Sequence, residues 1–267
     1  MSIAFSTCFY AINSKFDPST YVKWMGHLFS IIHQCKLVVY TDEASRVYIN
    51  THDNPNIIVV VKPLEQLYNY RYKEYWIDNH RNNSLLNGVS CWELNMLWAE
   101  KTAFVKETME QRIFDTDYYG WCDIGYFRNR PNDTHTSLLT SWANEQVVRN
   151  IDRQTVMYGC INNDDAFLDE LKQTVCRKNK DGLPVVPIPA SQCSIAGGFF
   201  VAHRGVVQWW FHTFDATLER YFKHQYLVKD DQIIIADCVF SNIDMFTLVR
   251  EHNPPMDNWF MFQRILK

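Results

Sequence analysis

The chain has 267 residues and a net charge of −4, and its charged residues are interspersed without a basic block, which argues against nucleic acid as a partner. A chain of this length buries enough surface to fold without disulfide staples, and its eight cysteines, scattered without a CxxC pair, indicate reduced packing residues. MSIAFSTCFY lacks the pattern of a secretory signal and no apolar run approaches the roughly 18 residues of a membrane span, so we expect a soluble, cytoplasmic protein without a transmembrane segment.

The start of the chain alternates between strand-like and helix-like patterns. Apolar runs predict strands at residues 3–12, 36–40 and 56–61. Between the first two, residues 20–34 carry apolar side chains at helical spacing. This β-α-β order favours a parallel sheet covered by helices.

A polar and aromatic stretch at residues 64–90 is rich in asparagine and predicts an irregular connection. Residues 91–111 then carry an apolar stripe that predicts one long helix, and Lys101 falls on that stripe. A lysine in this position either snorkels to solvent or pairs with an anion, and the pattern leaves both interpretations open.

The run YYGWCDIGYF at residues 118–127 is the most informative stretch, because five largely apolar residues lead directly to an acid, Asp123. In open α/β sheets ligands bind beyond the carboxyl ends of such strands. Asp123 is therefore either a ligand-binding carboxylate or a plain turn cap. Gly125, two residues on, would let the backbone approach a ligand.

The second half of the chain is less regular but has the same kinds of element. The patterns predict a helix at 137–148, a strand at 155–161, a flexible loop at 176–189, a helix at 204–223, an apolar helix that ends near residue 240 and a strand at 245–249. We find no repeat and no domain boundary, so we expect one mixed α/β domain over residues 1–267.

Three further patterns carry candidate chemistry. Gly197 and Gly198 interrupt an apolar segment and predict either a β-bulge or a close backbone approach to a ligand. Asp230 and Asp231 precede an apolar helix, where one carboxylate suffices as N-cap and leaves the other to accept a proton from a hydroxyl nucleophile. His252, just before two prolines, is either a surface residue or a metal ligand.

The order of these features resembles that of glycosyltransferases with the GT-A fold. More closely, LWAEKTAFV at 97–105 followed by YYGWCDIGYFR at 118–128 resembles the HtrL/YibB family, and the resemblance extends over most of the chain. It implies a single GT-A-like domain with a mixed, mostly parallel sheet flanked by helices. Residues 1–125 would bind the nucleotide sugar, and residues 126–267 would bind the acceptor.

The resemblance implies sugar transfer from a nucleotide-activated donor to a glycan, a lipid-linked sugar or another hydroxyl acceptor. Many GT-A enzymes bind metal through a DxD pair, whereas here the second acid is replaced by Gly125. A divalent ion, Mn²⁺ or Mg²⁺, would then be held by Asp123, by donor phosphates and by His252. Independence from metal is the open alternative.

The remaining roles follow from the same resemblance. Lys101 would stabilise the charge that grows on the departing diphosphate. Asp231 is the first choice for the catalytic carboxylate and Asp230 the second, and Gly197 and Gly198 would lie under the acceptor or the donor sugar. Further donor-binding candidates at the ends of the first two strands and in the aromatic stretch are Thr7, Phe9, Tyr10, Thr41, Asp42 and Arg71.

Two other classes of protein are compatible with such a sheet. A nucleotidyltransferase would be expected to carry a glycine-rich basic loop after the first strand, which TCFYAINSKF lacks. A catalytically silent glycan-binding or scaffolding protein would keep the fold and lose the charged residues. The joint presence of Lys101, Asp123 and Asp231 favours an enzyme.

Overall fold

One seven-stranded sheet organises the residues that the computed structural model describes, which are 3–253 and 255–267. Its strands are β1 Ile3–Cys8, β2 Lys36–Thr41, β3 Ile57–Val61, β4 Tyr118–Cys122, β5 Val156–Cys160, β6 Ile195–His203 and β7 Phe246–Val249. They lie in the order β3-β2-β1-β4-β6-β5-β7. β6 runs antiparallel to β4 and β5, and the other neighbouring pairs are parallel. The predicted mixed, mostly parallel sheet is confirmed.

Ten α-helices belong to the part of the chain that is described. They are α1 Pro18–Phe29, α2 Glu43–Arg46, α3 Lys73–Asn82, α4 Trp92–Ala99, α5 Lys101–Glu110, α6 Glu145–Arg149, α7 Asp165–Cys176, α8 Arg204–Lys223, α9 Asp231–Ser241 and α10 Phe262–Ile265. Short 3₁₀ turns lie at Leu64–Gln66, Tyr68–Tyr72, Thr136–Leu138, Ile243–Met245 and Asn258–Phe260. None of the described helices combines the length and the apolar character that crossing a membrane requires.

Strand side chains alternate between two hydrophobic cores, one on each face of the sheet, as the two-residue period of a strand requires. In β2, Val38 and Tyr40 belong to one core, and Leu37 and Val39 belong to the other. The first core contains apolar residues of α5, α7, α8 and α9, and the second contains those of α1, α6 and α10. The predicted single α/β domain with flanking helices is therefore confirmed. Burial on both faces also explains why the strands read as continuous apolar runs.

The long helix predicted over residues 91–111 forms as two helices, α4 and α5, which meet at Glu100. Glu100 is buried, and its carboxylate accepts hydrogen bonds from the backbone N–H groups of Tyr68 (2.7 Å) and Asn69 (2.8 Å). These N–H groups begin a 3₁₀ turn and have no partner within it, so the carboxylate satisfies them. Lys101 follows directly and is the first residue of α5.

Four segments outside the strands can be compared with the sequence patterns. The prediction of a helix at 137–148 is wrong. A shorter helix, α6, begins after Asn144, whose side chain caps it. Residues 64–90, expected to be irregular, contain α3. The patterns do not predict α7, although Asp164 caps it through its side chain. The loop predicted at 176–189 is irregular once α7 has ended.

Candidate active site

A cleft of about 400 Å³ opens at the edge of the sheet where β1 and β4 end. It is lined by Cys8 at the end of β1, by the residues that follow β4 from Asp123 to Tyr126, and by the start of α9. Gly197 and Gly198 of β6 also line it. This is the edge at which open α/β sheets bind ligands, and it is where the sequence patterns place the candidate site.

Lys101 lies at the centre of the polar groups in this cleft. Its Nζ is 2.8 Å from Oδ2 of Asp231 and 3.3 Å from Oδ1 of Asp123, and it donates a hydrogen bond to the carbonyl of Gly197 (2.8 Å). Lys101 is only 6% exposed, so it is paired and does not snorkel. Burial opposes its charge, but the two carboxylates outweigh burial and raise the pKa of Lys101 above the ordinary lysine range.

Asp123 is fixed in position by contacts to two strands. Its backbone N–H donates to the carbonyl of Gly198 on β6 (2.9 Å), and the indole N–H of Trp121 on β4 donates to its Oδ1 (2.6 Å). Its side chain is nevertheless 42% exposed, and among the described residues no group donates a hydrogen bond to Oδ2. One oxygen of Asp123 thus holds the carboxylate in place, and the other is free to meet a ligand.

Asp230 and Asp231 occupy different places at the start of α9. Asp230 is the N-cap of α9, with its side chain accepting from the N–H of Gln232 (3.2 Å), and it also pairs with Lys229 (2.8 Å). Asp231 is the first residue of the helix, is 4% exposed and faces Lys101. Burial raises the pKa of Asp231 to about 6, while Lys101 opposes the rise and Asp230 adds to it.

The glycines of the site make room for particular side chains. The register of β6 against β5 shifts across Gly197 and Gly198, as a β-bulge would produce. A Cβ atom on Gly197 would lie 2.6 Å from Oδ2 of Asp231, and one on Gly198 would lie 3.1 Å from Oδ2 of Asp123. Both glycines therefore allow the two carboxylates to approach the strand closely. A Cβ atom on Gly125 would instead lie 2.8 Å from the ring of Trp24.

Three buried asparagines hold the segment that leads into α9. Asn79 forms two hydrogen bonds with the backbone of Val228, accepting from its N–H (2.9 Å) and donating to its carbonyl (2.8 Å). Asn83 donates to the carbonyl of Lys229 (2.9 Å), and Asn95 donates to both of these carbonyls (3.1 and 3.2 Å). The asparagine-rich stretch of the sequence, together with α4, thus fixes the chain just before the two aspartates.

Arg128 also lines the cleft, and the sequence patterns did not single it out. Its guanidinium carbon lies 4.3 Å from the ring centre of Trp24, 5.1 Å from that of Phe260 and 5.7 Å from that of Phe16. Its Nε donates to the carbonyl of Gly125 (2.8 Å). These rings come from distant parts of the chain, so no local signal in the sequence marks this arginine as a site residue.

The predicted donor-binding residues of the first two strands occupy different places. Phe9 and Tyr10 line the cleft, although each ring is largely buried. Thr7 is buried, and its hydroxyl has no hydrogen-bond partner in the described chain. Thr41 donates to the carbonyl of Phe9 (2.7 Å), and Asp42 caps α2. The structure does not bring Thr7, Thr41 or Asp42 into the lining of the cleft.

Two other candidates lie outside the cleft. Arg71 pairs with Asp215 (2.6 Å) on α8 and is not among the lining residues. His252 is exposed, and its charge helps to lower the pKa of Asp165 at the start of α7, after the larger effects of Arg250. The structure therefore does not bring His252 together with Asp123.

Within residues 3–253 and 255–267, no group of three histidine, cysteine, aspartate or glutamate side chains is arranged to hold a metal ion. The cleft offers the free oxygen of Asp123 as a ligand. This donor set fits an ion that is bound mainly by substrate phosphates, as Mg²⁺ often is. It does not fit a metal centre that protein side chains hold alone.

No protein-family model and no curated protein sequence matches the chain. Among solved structures, it is similar to CMP:2-keto-3-deoxy-manno-octonic acid synthetase complexed with CTP, at 13% identity and a TM-score of 0.43 over 96% of this chain and 93% of that chain. It is also similar to the galactosyltransferase LgtC in complex with donor and acceptor sugar analogs, at 11% identity and a TM-score of 0.47 over 93% of this chain and 73% of that chain. The resemblance to the HtrL/YibB family stays a prediction, and at these identities the two likenesses concern the path of the chain and not its chemistry.

Proposed function

We propose that this protein is a glycosyltransferase that moves a sugar from a nucleotide-sugar donor to a hydroxyl group of a glycan, a lipid-linked sugar or another acceptor. The observation that carries the proposal is the position of Lys101, whose ammonium lies within 3.3 Å of two carboxylates in a cleft at the sheet edge. Sugar transfer needs a cation for the departing diphosphate and a carboxylate for the attacking hydroxyl. This cluster contains both.

The first half of the reaction concerns the leaving group. As the bond from the sugar to the diphosphate breaks, negative charge grows on the diphosphate oxygen. Lys101 carries a raised pKa and so remains charged when that oxygen develops its charge. In this proposal the ammonium turns from its carboxylate partners towards the diphosphate, and its stabilising effect is large because the site is shielded from water.

The second half concerns the acceptor. With Lys101 drawn towards the diphosphate, Asp231 loses the cation that holds its carboxylate. Because Lys101 holds the pKa of Asp231 down, its departure raises that pKa further and makes the carboxylate a stronger base, so in a reaction that inverts configuration Asp231 accepts the proton of the acceptor hydroxyl. Asp230 is the second choice, because its side chain already caps α9 and pairs with Lys229. Donor binding would thereby activate the base.

A Mn²⁺ or Mg²⁺ ion held by Asp123 would neutralise part of the diphosphate charge. The single free oxygen of Asp123 supports an ion that enters with the donor. We propose no metal-binding role for His252, which lies away from the cleft lining.

Aromatic residues in the same cleft suit the flat parts of a nucleotide sugar. Phe9 and Tyr10 are 4% and 6% exposed and offer little ring surface, whereas Phe16 is 42% exposed. Trp98 also lines the cleft and is half-buried. We therefore propose that Phe16 and Trp98 provide stacking surface for the base or the sugar, with Phe9 and Tyr10 packed behind it.

The direct test is to incubate the purified protein with a panel of nucleotide sugars and hydroxyl acceptors, with and without Mn²⁺, and to measure nucleoside diphosphate release and glycosylated product. Product formation that is lost in Asp231→Asn supports the proposal. Release of pyrophosphate from nucleoside triphosphates and sugars would instead identify a nucleotidyltransferase. Glycan binding without turnover of any donor would identify a silent binding protein, and either result overturns the proposal.

A further inference from the structure

Arg128 is a cation of the cleft lining that lacks an acidic partner. In the described chain no carboxylate lies within 4.0 Å of its guanidinium, and Nε is the one nitrogen of Arg128 that donates a hydrogen bond. Arg130, two residues on, differs in this respect, since it pairs with Asp133 (3.0 Å) and Asp257 (2.8 Å). Arg128 therefore has both terminal nitrogens unused, whereas Nε and Nη2 of Arg130 are engaged.

The surroundings of Arg128 fix its orientation without neutralising its charge. Ring faces of Trp24, Phe260 and Phe16 surround the guanidinium and stabilise a cation through the ring quadrupole. Burial, and after it the charge of Arg130, lowers the pKa of Arg128, and the charges of Asp123 and Asp133 offset this only in part. A half-buried cation next to a second cation is costly unless an anion joins it.

The planar guanidinium presents paired N–H groups that match the oxygens of a phosphate group. Lys101, which the proposed function turns towards the diphosphate, supplies one positive charge and leaves two carboxylates behind, so a diphosphate needs a second cation. We propose that Arg128 binds a phosphate group of the nucleoside diphosphate in this cleft and so sets the preference for a diphosphate-linked donor. The identity of this ligand rests on the proposed function, but the anion site itself does not.

The test measures binding, and not turnover. For each base, the dissociation constants of the nucleoside, its monophosphate and its diphosphate are determined by calorimetry for the parent protein and for Arg128→Gln, Arg128→Lys and Arg81→Gln. Arg81 is an exposed arginine of α3 paired with Asp78, and it serves as the control. Circular dichroism and thermal unfolding establish that each variant is folded.

We expect the parent protein to bind the diphosphate more tightly than the nucleoside. Arg128→Gln should bind the diphosphate about 10- to 100-fold more weakly than the parent, with nucleoside binding unchanged. The diphosphate affinity of Arg128→Lys should lie between those of the parent and Arg128→Gln, because lysine keeps the charge and loses the paired N–H groups. The affinity of Arg81→Gln should match that of the parent. Equal diphosphate binding by the parent and a folded Arg128→Gln would overturn the inference. So would a folded parent that binds none of the phosphates.

Two further probes separate the sources of the anion. If inorganic pyrophosphate bound as tightly as the nucleoside diphosphate and its binding depended on Arg128, the site would be one for free diphosphate. That result would overturn the nucleotide assignment. If the binding of a sugar acid such as glucuronic acid depended on Arg128 while the binding of phosphates did not, the phosphate assignment would be overturned. Diphosphate binding that depends on Arg128, without sugar transfer to any acceptor, would uphold this inference and reject the proposed glycosyltransferase.

Discussion

The ammonium of Lys101 and the carboxylate of Asp231 meet at 2.8 Å, and their side chains are 7% and 5% exposed. Each would be costly to bury alone, because an unpaired charge loses its hydration and gains nothing in return. The pair is therefore a structural unit that joins the start of α5 to the start of α9. Its value for catalysis, in our proposal, is that a diphosphate competes for the same ammonium.

Lys101→Met should lower the free energy of unfolding by about 3 to 5 kcal/mol, because it leaves a buried carboxylate without its cation. Urea denaturation measures the change. Lys106→Met is the matched control on the same helix, since Lys106 forms a partly exposed pair with Glu110 and its loss should cost no more than about 1 kcal/mol. The double variant Lys101→Met/Asp231→Asn should cost less than the sum of the single changes. Additive costs would show that the two residues are not coupled.

The kcat/KM for transfer should fall as the pH is lowered through about 6, because kcat/KM reports the free enzyme, in which Asp231 is still paired with Lys101, and protonated Asp231 can no longer accept a proton. The stability effect has the opposite direction. The pKa of Asp231 in the folded protein is raised above its ordinary value of 3.8. The contribution of Asp231 to stability is therefore complete below pH 3.8 and is lost as the pH rises through about 6. As the pH rises from about 4 to about 7, the free energy of unfolding of Asp231→Asn should therefore increase relative to that of the parent. A constant difference across this range would contradict the assignment.

Gly197→Ala should disturb the site more than Gly198→Ala, because its Cβ atom would lie 2.6 Å from Asp231, against 3.1 Å between Gly198 and Asp123. We expect Gly197→Ala to cost about 1 to 3 kcal/mol and to abolish transfer. Gly26→Ala is the control. A Cβ atom on Gly26 meets nothing within 4 Å inside helix α1, so this change should stabilise the protein by about 0.5 to 1 kcal/mol. Thermal unfolding and donor turnover measure both effects, and an active Gly197→Ala protein would contradict the close approach.

Asn95→Ala should lower kcat for transfer while leaving the Kd of the nucleoside diphosphate unchanged. The change removes two hydrogen bonds to the segment that positions α9, and so it shifts Asp231 without touching Arg128. Loss of a buried partner of this kind costs about 1 to 3 kcal/mol of stability. Asn82→Ala, at an exposed asparagine of α3, is the control. A parallel loss of diphosphate binding would point to general unfolding and not to a positioning role for Asn95.

Local patterns in the sequence were enough to predict the strand edge and the acids there. Asp123 is predicted because a carboxylate directly follows an apolar run, and the pair Asp230 and Asp231 because one acid suffices to cap a helix. The structure brings Lys101 to both Asp123 and Asp231. The class of fold was readable for the same reason, since strands buried on both faces leave continuous apolar runs.

The patterns could not reveal which polar residues are already engaged by their neighbours. Thr41 ends a strand and Asp42 follows it, as a ligand-binding pair would, yet Thr41 bonds to a carbonyl and Asp42 caps a helix. Arg128 shows the opposite case, because the rings that hold it lie far away in the chain. The helix predicted at 137–148 failed for a related reason, since tertiary packing buries Trp142 against Phe5 and overrides local helical spacing.

The antiparallel strand β6 has a consequence for protein engineering. Its pairing with β4 covers the edge of the strand that leads to Asp123, from Tyr118 opposite His203 to Cys122 opposite Phe199. A chain cut after residue 125 would leave β4 as an unprotected edge, which is a template for aggregation. The regions 1–125 and 126–267 therefore cannot be exchanged between proteins like separate modules. A change of acceptor would have to be made by grafting loops around the cleft, with β6 kept in place.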